Sequence, residues 1–524
     1  MESLITDNAI VKKSLRAMGI PLQRLRELLP FSQPQPQGLA AMASASHSKM
    51  PAGHFPLAAI ARLSDEVLPP IFRQANLHMR FKLLEEARQE AEKLLPALET
   101  EIASATLPLP TSVTTAALQA DNLLKRLAQG YADIARKIFG AHQASFANLL
   151  HRATERAMSL IARRQLLAYR AYALPSANSW LHLHELYRVT CDPRSKPLNG
   201  ETAPIEHEYL GALLFAFLEP NKLPRNELDI VHRCTRLLAA YAVVAEATSE
   251  LLTSKSADAC FLVRSEEGNP GFPLTRLPPG SQFSGGLIVD CAQVLAALDR
   301  NLARQPGKPV QPELSAPPAL LQSLRIAIGG RSARRFSRTK FRPRADMVGG
   351  LDQVIEFLDG HTFSRRAHDS FNRHDSPGFL SSEWSLIDES PDGFLIRFIK
   401  GEKCQFGAGN LVALQPRESS RIHVCLVRRI AAVRNRLELG LQLLSPQVSV
   451  VTLASNGSAA KRAVFLHSLP AYGPHSGLIV PPGQVSVGQT LSFTTLGRHI
   501  ERRVGRTLEA NEGLEFVTLE PLPH

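Results

Sequence analysis

Apolar residues recur every three or four positions through LHMRFKLLEEARQEAEKLLPALETEIA, and again through ALQADNLLKRLAQGYADIARKIFGAHQASFANLLHRATERAMSLIARRQLLAYRAYA. That spacing puts one apolar stripe along a helix, so residues from about 56 to 172 are predicted to form long amphipathic helices. TLPLPTS at 106–112 separates them, because its prolines lack a backbone donor and drive the preceding residues out of the helical region. The same period continues in SWLHLHELYRV (179–189), IEHEYLGALLFAFLEP (205–220) and NELDIVHRCTRLLAAYAVVAEATSELL (226–252), the last opening after Pro224 as helices do. CFLVR at 260–264 reads as a short extended piece, followed by the loop SEEGNPGFPLTRLPPGSQFSGG, and DCAQVLAALDRNLAR resumes the helices.

After LSAPPALLQSLRIAIGG the texture changes. Short runs bounded by Gly, Pro, Asn and Ser take over: DMVGGLDQVIEFL, EWSLIDES, GFLIRFI, NLVALQP, IHVCLVRRI, LELGLQLL, VSVVTLA, RAVFLHSL, GLIVPP and LEFVTLEP. Strands at this spacing predict a barrel or sandwich. SNGSAAKR at 455–462 divides this region, and no repeat of fixed period is visible. FSQPQPQGLAAMASASHSKMPAGHF at 31–55 has neither period and reads as a connector behind a short docking helix. The expected fold class is therefore a multidomain α+β chain: a flexible segment 1–55, a mainly α-helical domain 56–320, a β-barrel 321–454 and a β-rich C-terminal extension 455–524. A chain of 524 residues exceeds what one hydrophobic core usually supports.

Composition narrows the class. At 44% hydrophobic and 21% charged, the chain is neither disordered nor fibrous throughout. A net charge of +12 admits an anionic partner, although most of these charges solvate helix faces. Cys191, Cys234, Cys260, Cys291, Cys404 and Cys425 form no C-x-x-C pair and read as buried thiols in a reducing compartment. The N-terminus lacks the pattern of a secretory signal and no stretch is long and apolar enough to span a bilayer, so the expected location is cytoplasmic.

The sharpest chemical feature is RSARRFSRTKFRPR at 331–344, with six arginines, one lysine and no acid. Such a run repels itself and is stable only in solvent or against an anion. It contains R-x-x-x-R as Arg331 with Arg335, Arg334 with Arg338, and Arg338 with Arg342. Guanidinium can chelate phosphate oxygens or guanine O6 and N7 and can stack on a base, which lysine cannot. Further on, WSLIDESPDGFLIRF sets Asp388, Ser390 and Gly393 as D-x-S-x-x-G between two apolar runs. The carboxylate can accept from guanine N1–H and N2–H, the hydroxyl adds a polar contact, and glycine lets the turn reverse beside a ligand.

The two motifs in this order, within a β-rich region, resemble the PilZ family, whose R-x-x-x-R segment and D/N-x-S-x-x-G strand turn together wrap cyclic di-GMP. The resemblance continues in IHVCLVRRIAAVRNRLELGLQLLS, similar to the later hairpin of that barrel, with Gly440 in its last strand. It covers about 330–446, and more weakly the rest to 524. It implies that Arg338 and Arg342 are the arginine pair, with Arg334 and Arg335 as the alternative register, and that Asp388, Ser390 and Gly393 complete the site. The motifs stand further apart than is usual in the family, which marks LDGHTFSRRAHDSFNRHDSPGFLSS as an insertion.

The function so implied is that of a bacterial, non-enzymatic cyclic di-GMP receptor acting on a protein partner through its helical domain, in motility, adhesion or exopolysaccharide control, with no cofactor or metal. Two alternatives stand beside it. One is a degenerate barrel that binds no nucleotide and serves as a scaffold. The other is a nucleic-acid-binding protein, disfavoured by an aromatic content of only 6%. No phosphate-binding loop, dinucleotide fingerprint, nucleophile elbow or H-E-x-x-H is present to support an enzyme. His182 and His184, two apart on a predicted helix, point to different sides and read as ordinary helix-surface residues rather than metal ligands.

Overall fold

The computed structural model describes residues 54–141, 144–192, 203–248, 258–277, 285–304, 310–329, 343–359, 381–401, 406–433, 436–453, 461–473, 475–495 and 497–522. Contacts divide the chain into two units, Met1–Leu98 and Glu99–His524. The described part of the first holds α1 (His54–Arg62), a π-helical turn at Leu63–Val67, α2 (Leu68–Phe72) and most of α3 (Leu77–Ser104). Ile60, Leu68, Leu84 and Leu95 are among its buried side chains.

The second unit begins with a helical layer. Helices α4 (Thr111–Gly140) and α5 (Ala147–Arg170) pair along their apolar stripes, followed by α6 (Ala177–Cys191), α7 (Ala203–Phe217) and α8 (Arg225–Leu238). Arginines of α5 clamp its neighbours: Arg164 donates to both oxygens of Asp121 at 2.8 and 3.0 Å, and Arg170 reaches Glu99 at 3.0 Å and Asp229 at 2.6 Å. The helix expected through 252 stops earlier. α8 ends at Leu238, and β1 (Val243–Glu246) follows, because the stiff β-branched pair Val243–Val244 finds a partner strand. With β2 (Cys260–Val263), β3 (Phe272–Pro273) and β4 (Leu287–Asp290) it makes a four-stranded antiparallel sheet, ordered β1-β4-β2-β3. Helices α9 (Ala292–Leu302) and α10 (Pro318–Gly329) close this half.

The expected switch to β-structure is present. β5 (Arg344–Gly349), β6 (Ser382–Ser390), β7 (Gly393–Gly401), β8 (Leu411–Pro416), β9 (His423–Val433) and β10 (Arg436–Leu443) form a closed barrel, ordered β10-β7-β6-β5-β8-β9. The run DMVGGLDQVIEFL, expected as a strand, divides: β5 ends at Gly349, Gly350 turns the chain at φ +91°, and α11 (Leu351–Leu358) follows. Its buried Leu351, Val354 and Ile355 recur at helical spacing. Met347, Trp384, Ile396, Leu414 and Leu439 fill the barrel, and the Trp384 indole donates to Ser382 Oγ at 2.8 Å.

A second six-stranded sheet follows, made of β11 (Val448–Leu453), β12 (Lys461–Leu466), β13 (Ser476–Val480), β14 (Thr490–Thr495), β15 (Arg498–Asn511) and β16 (Leu514–Glu520), in the order β11-β12-β13-β16-β15-β14. One face packs Val464, Leu466, Ile479 and Phe516 against α11 and the outer side of β8 and β9. The other gathers Phe465, Leu478, Val504 and Val517 into a core of its own.

The helical half is keyed into the barrel by Tyr172, just past α5. Its ring lies in the barrel core with Leu107, its carbonyl accepts from Ala432 N of β9 at 2.8 Å, and its hydroxyl donates to Leu223 O at 3.3 Å. The Arg225 guanidinium lies 5.0 Å from the ring centroid. Cys234, Cys260, Cys291 and Cys425 are buried as expected, whereas Cys191, the last residue of α6, is exposed, and Cys404 lies outside the described residues. No described helix is long and apolar enough to cross a membrane.

Tyr172→Ala empties the junction and is expected to cost about 3–5 kcal/mol in chemical denaturation; a loss below about 1 kcal/mol would contradict the plug. Burial, and secondarily the charge of Arg421, pushes His423 down to about 4, and burial does the same to His232. Between their ordinary value of 6.5 and about 4 the unfolded chain binds protons that the folded chain refuses, so stability falls as pH drops through that window. The melting midpoint should be lower at pH 5 than at pH 7, and His423→Gln should shrink the difference; a flat profile in the parent protein refutes this.

Candidate functional site

The D-x-S-x-x-G residues occupy the β6–β7 hairpin. Asp388 pairs with Leu395, and Ser390 pairs with Gly393 across a two-residue turn, its hydroxyl donating to Gly393 O at 3.2 Å. The glycine is a steric requirement: φ is +149°, and a Cβ there would stand 1.9 Å from Leu441 O of β10. Leu443 N donates to Asp392 O at 2.8 Å, which ties the turn to the same strand.

A bulge decides where the carboxylate sits. Register shifts between Leu386 and Asp388, so Leu386 stays in the barrel core while Asp388 shares the outer face with its partner Leu395. Next to them on that face come Gly440, opposite Leu395, and Arg397, opposite Glu438. Arg397 donates to Glu438 Oε1 from Nε at 3.0 Å and from the terminal nitrogen at 2.6 Å. Gly440 keeps the wall low, since a Cβ would come within 3.3 Å of Arg429 Cβ. Beside this patch is an open cavity of about 440 Å³, lined by Pro108, Ser385, Arg397, Ile399, Arg436 and Leu437 among others. Asp388 and Ser390 are half-buried, accessible from the face yet held by the ladder.

Arg334, Arg335, Arg338 and Arg342 lie outside the described residues, as do residues 360–380 of the expected insertion. The chain is described again from Pro343, whose carbonyl accepts from Leu386 N at 3.0 Å, and the next residue, Arg344, pairs with Ser385. Arg342 is therefore bonded to the residue opposite Leu386, two positions from Asp388. Arg344 itself is committed to Glu383 at 2.6 Å. Glu383 and Asp346 are only 5% and 7% exposed, and Arg417 spans both, at 2.9 Å from Asp346 and 3.3 Å from Glu383. Burial alone would raise the Glu383 carboxyl, but Arg417 and Arg344 hold it below the usual carboxylate range. This cluster fixes β5, β6 and β8 beneath the start of the barrel.

Sequence reasoning missed Arg397 and Arg436, since isolated arginines in strands carry no motif and only strand register brings them to the cavity beside Ser385; Arg417 belongs instead to the cluster at the start of β6. His184 is not a helix-surface residue: it is fully buried, bonded through Nδ1 to Tyr209 Oη and through Nε2 to Asn269 O, both at 2.9 Å. Among the described residues no group of three His, Cys, Asp or Glu could hold a metal ion.

Comparison with known proteins places the similarity first on the helical half, which the sequence motifs left without a family. Residues 53–248 match the family described as cyclic-di-GMP receptor FimW, N-terminal domain. Over a longer stretch the chain is 22% identical to the cyclic-di-GMP receptor FimW of Pseudomonas aeruginosa, an alignment covering 84% of this chain and 84% of that protein. No solved structure matches. The chain is thus similar to a cyclic di-GMP receptor both along the helical segment that keys into the barrel and across most of its length.

Proposed function

We propose that this chain is a cyclic di-GMP receptor of PilZ type, whose ligand lies on the outer face of the barrel between the β6–β7 hairpin and the arginine segment. The observation that carries this reading is the pairing of Pro343 with Leu386, which feeds the arginine run into the strand neighbouring the one that bears Asp388. A cyclic dinucleotide presents two phosphodiester anions and two guanines. Arg338 and Arg342, or Arg334 and Arg335 in the other register, would take phosphate oxygens and guanine Hoogsteen edges, and Asp388 would accept from a guanine N1–H and N2–H. Ser390 and Gly393 shape the turn against which the base rests. Similarity to a receptor described by the same ligand supports the reading.

The role is one of binding rather than catalysis. A self-repelling cationic segment is ordered by a dianion, and that ordering occurs on a barrel whose β9 is bonded to Tyr172 of the helical half. The helical half then presents the ligand-dependent surface to a protein partner.

Isothermal titration of the full chain should give a dissociation constant in the micromolar range or tighter for cyclic di-GMP. Each charged hydrogen bond contributes about 1.5–3 kcal/mol, so Asp388→Ala should weaken binding roughly 10- to 100-fold and Arg338→Ala with Arg342→Ala should remove it, with circular dichroism unchanged. Heats equal to buffer dilution for the parent protein would refute the proposal, and undiminished affinity in both variants would move the site elsewhere.

A further inference from the structure

Counted from its own first strand, the barrel runs first, second, third, sixth, fifth, fourth, and back to the first. The C-terminal sheet runs in the same order, and its edge strands β11 and β14, its first and fourth, approach each other. The agreement extends to single hydrogen bonds. Ahead of β8, Asn410 N donates to Gly407 O at 3.1 Å, Gly409 at φ +85° donates to Val427 O at 2.7 Å, and Val427 N donates to Asn410 O at 2.9 Å. Ahead of β14, Gln489 N donates to Ser486 O at 3.0 Å, Gly488 at φ +87° donates to Val504 O at 2.8 Å, and Val504 N donates to Gln489 O at 2.8 Å. In both sheets the fifth strand bulges against the sixth just beyond that valine.

This register lets positions be equated. Leu441 faces Val427 as Leu519 faces Val504; one step along, Gly440 faces Leu395 as Thr518 faces Gly477, and Leu395 faces Asp388 as Gly477 faces Leu466. Likewise Arg397 with Glu438 corresponds to Ile479 with Phe516. The outward trio Asp388, Arg397 and Glu438 is thus replaced by Leu466, Ile479 and Phe516, each 0% exposed and packed against the outer side of β8 and β9. Conversely, Leu411 of β8 is buried in that contact, while its counterpart Thr490 is exposed. Residues 444–447 ahead of β11 read LSPQ, with no arginine.

We infer that residues 448–520 are a second copy of the same barrel, in which the face equivalent to the candidate nucleotide face has become an apolar docking surface closed by the first barrel. The second copy is silent toward the ligand and braces the back of the copy that binds it. The ligand half of this statement rests on the proposed function; the docking half does not.

Hydrogen exchange and thermal melting of the full chain test it. Leu466→Asp buries an unpaired charge and should lower the melting midpoint by roughly 5–15 °C, accelerating exchange in β8 and β9 together with β12, β13 and β16. Leu411→Asp should do the same, and Thr490→Asp, the same position in the other copy, should leave both readings at parent values. If Leu466→Asp does not fold, Leu466→Ala should give a smaller acceleration in the same five strands. Acceleration confined to β12, β13 and β16, or equal effects from Thr490→Asp and Leu411→Asp, would overturn the docking claim. In titration, Asp388→Ala with Arg338→Ala and Arg342→Ala should leave no cyclic di-GMP binding; residual saturable binding would overturn the silence of the second copy. A parent protein that does not bind cyclic di-GMP would refute the proposed function, leaving the docking claim to the exchange result.

Discussion

The antiparallel pairing of β5 with β6 is the constraint on which the site depends. It sets Arg344 opposite Ser385 and Pro343 opposite Leu386, and so fixes where the cationic segment enters the barrel. A slip of one residue would exchange core and outer faces and turn Asp388 inward. The register is held from both sides: Trp384 and Met347 fill the interior, and the Asp346–Arg417–Glu383 cluster grips the exterior. Beyond this, the bulge after Leu386 and the close crossing of β10 at Gly393 turn an ordinary hairpin into one with a carboxylate, a hydroxyl and a bare backbone on one face.

The barrel is not an isolated module. On one side it accepts Tyr172 and Leu107 of the helical half into its core, and on another its outer strands share a core with the C-terminal sheet. Each contact fixes part of the barrel wall against a neighbouring element.

Much of this was legible in the sequence, and the failures have physical reasons. The long helices and most strands followed from their periods, since burial on one face leaves a clear imprint. β1 was hidden at the end of a helical pattern because four residues cannot set a period against the turns before them. β15 was missed because its outer face, with His499, Glu501 and Arg503, is charged and exposed. α11 reads as strand in the sequence because its apolar residues abut those of β5 across two glycines. The hairpin residues were found by motif, but Arg397 and Glu438 became neighbours of Asp388 only through strand order. The duplicated barrel left no visible repeat, because the positions that match in strand register carry opposite chemistry: Asp388 and Leu466, Glu438 and Phe516.

The arginine segment and the β6–β7 hairpin are proposed to converge on one cyclic dinucleotide. Hydrogen exchange of the full chain with and without cyclic di-GMP measures this directly. Slower exchange is expected in peptides covering 331–343 and in those covering 385–396, appearing together at the same ligand concentration. Protection confined to one of these segments, or to the helical half alone, would contradict it.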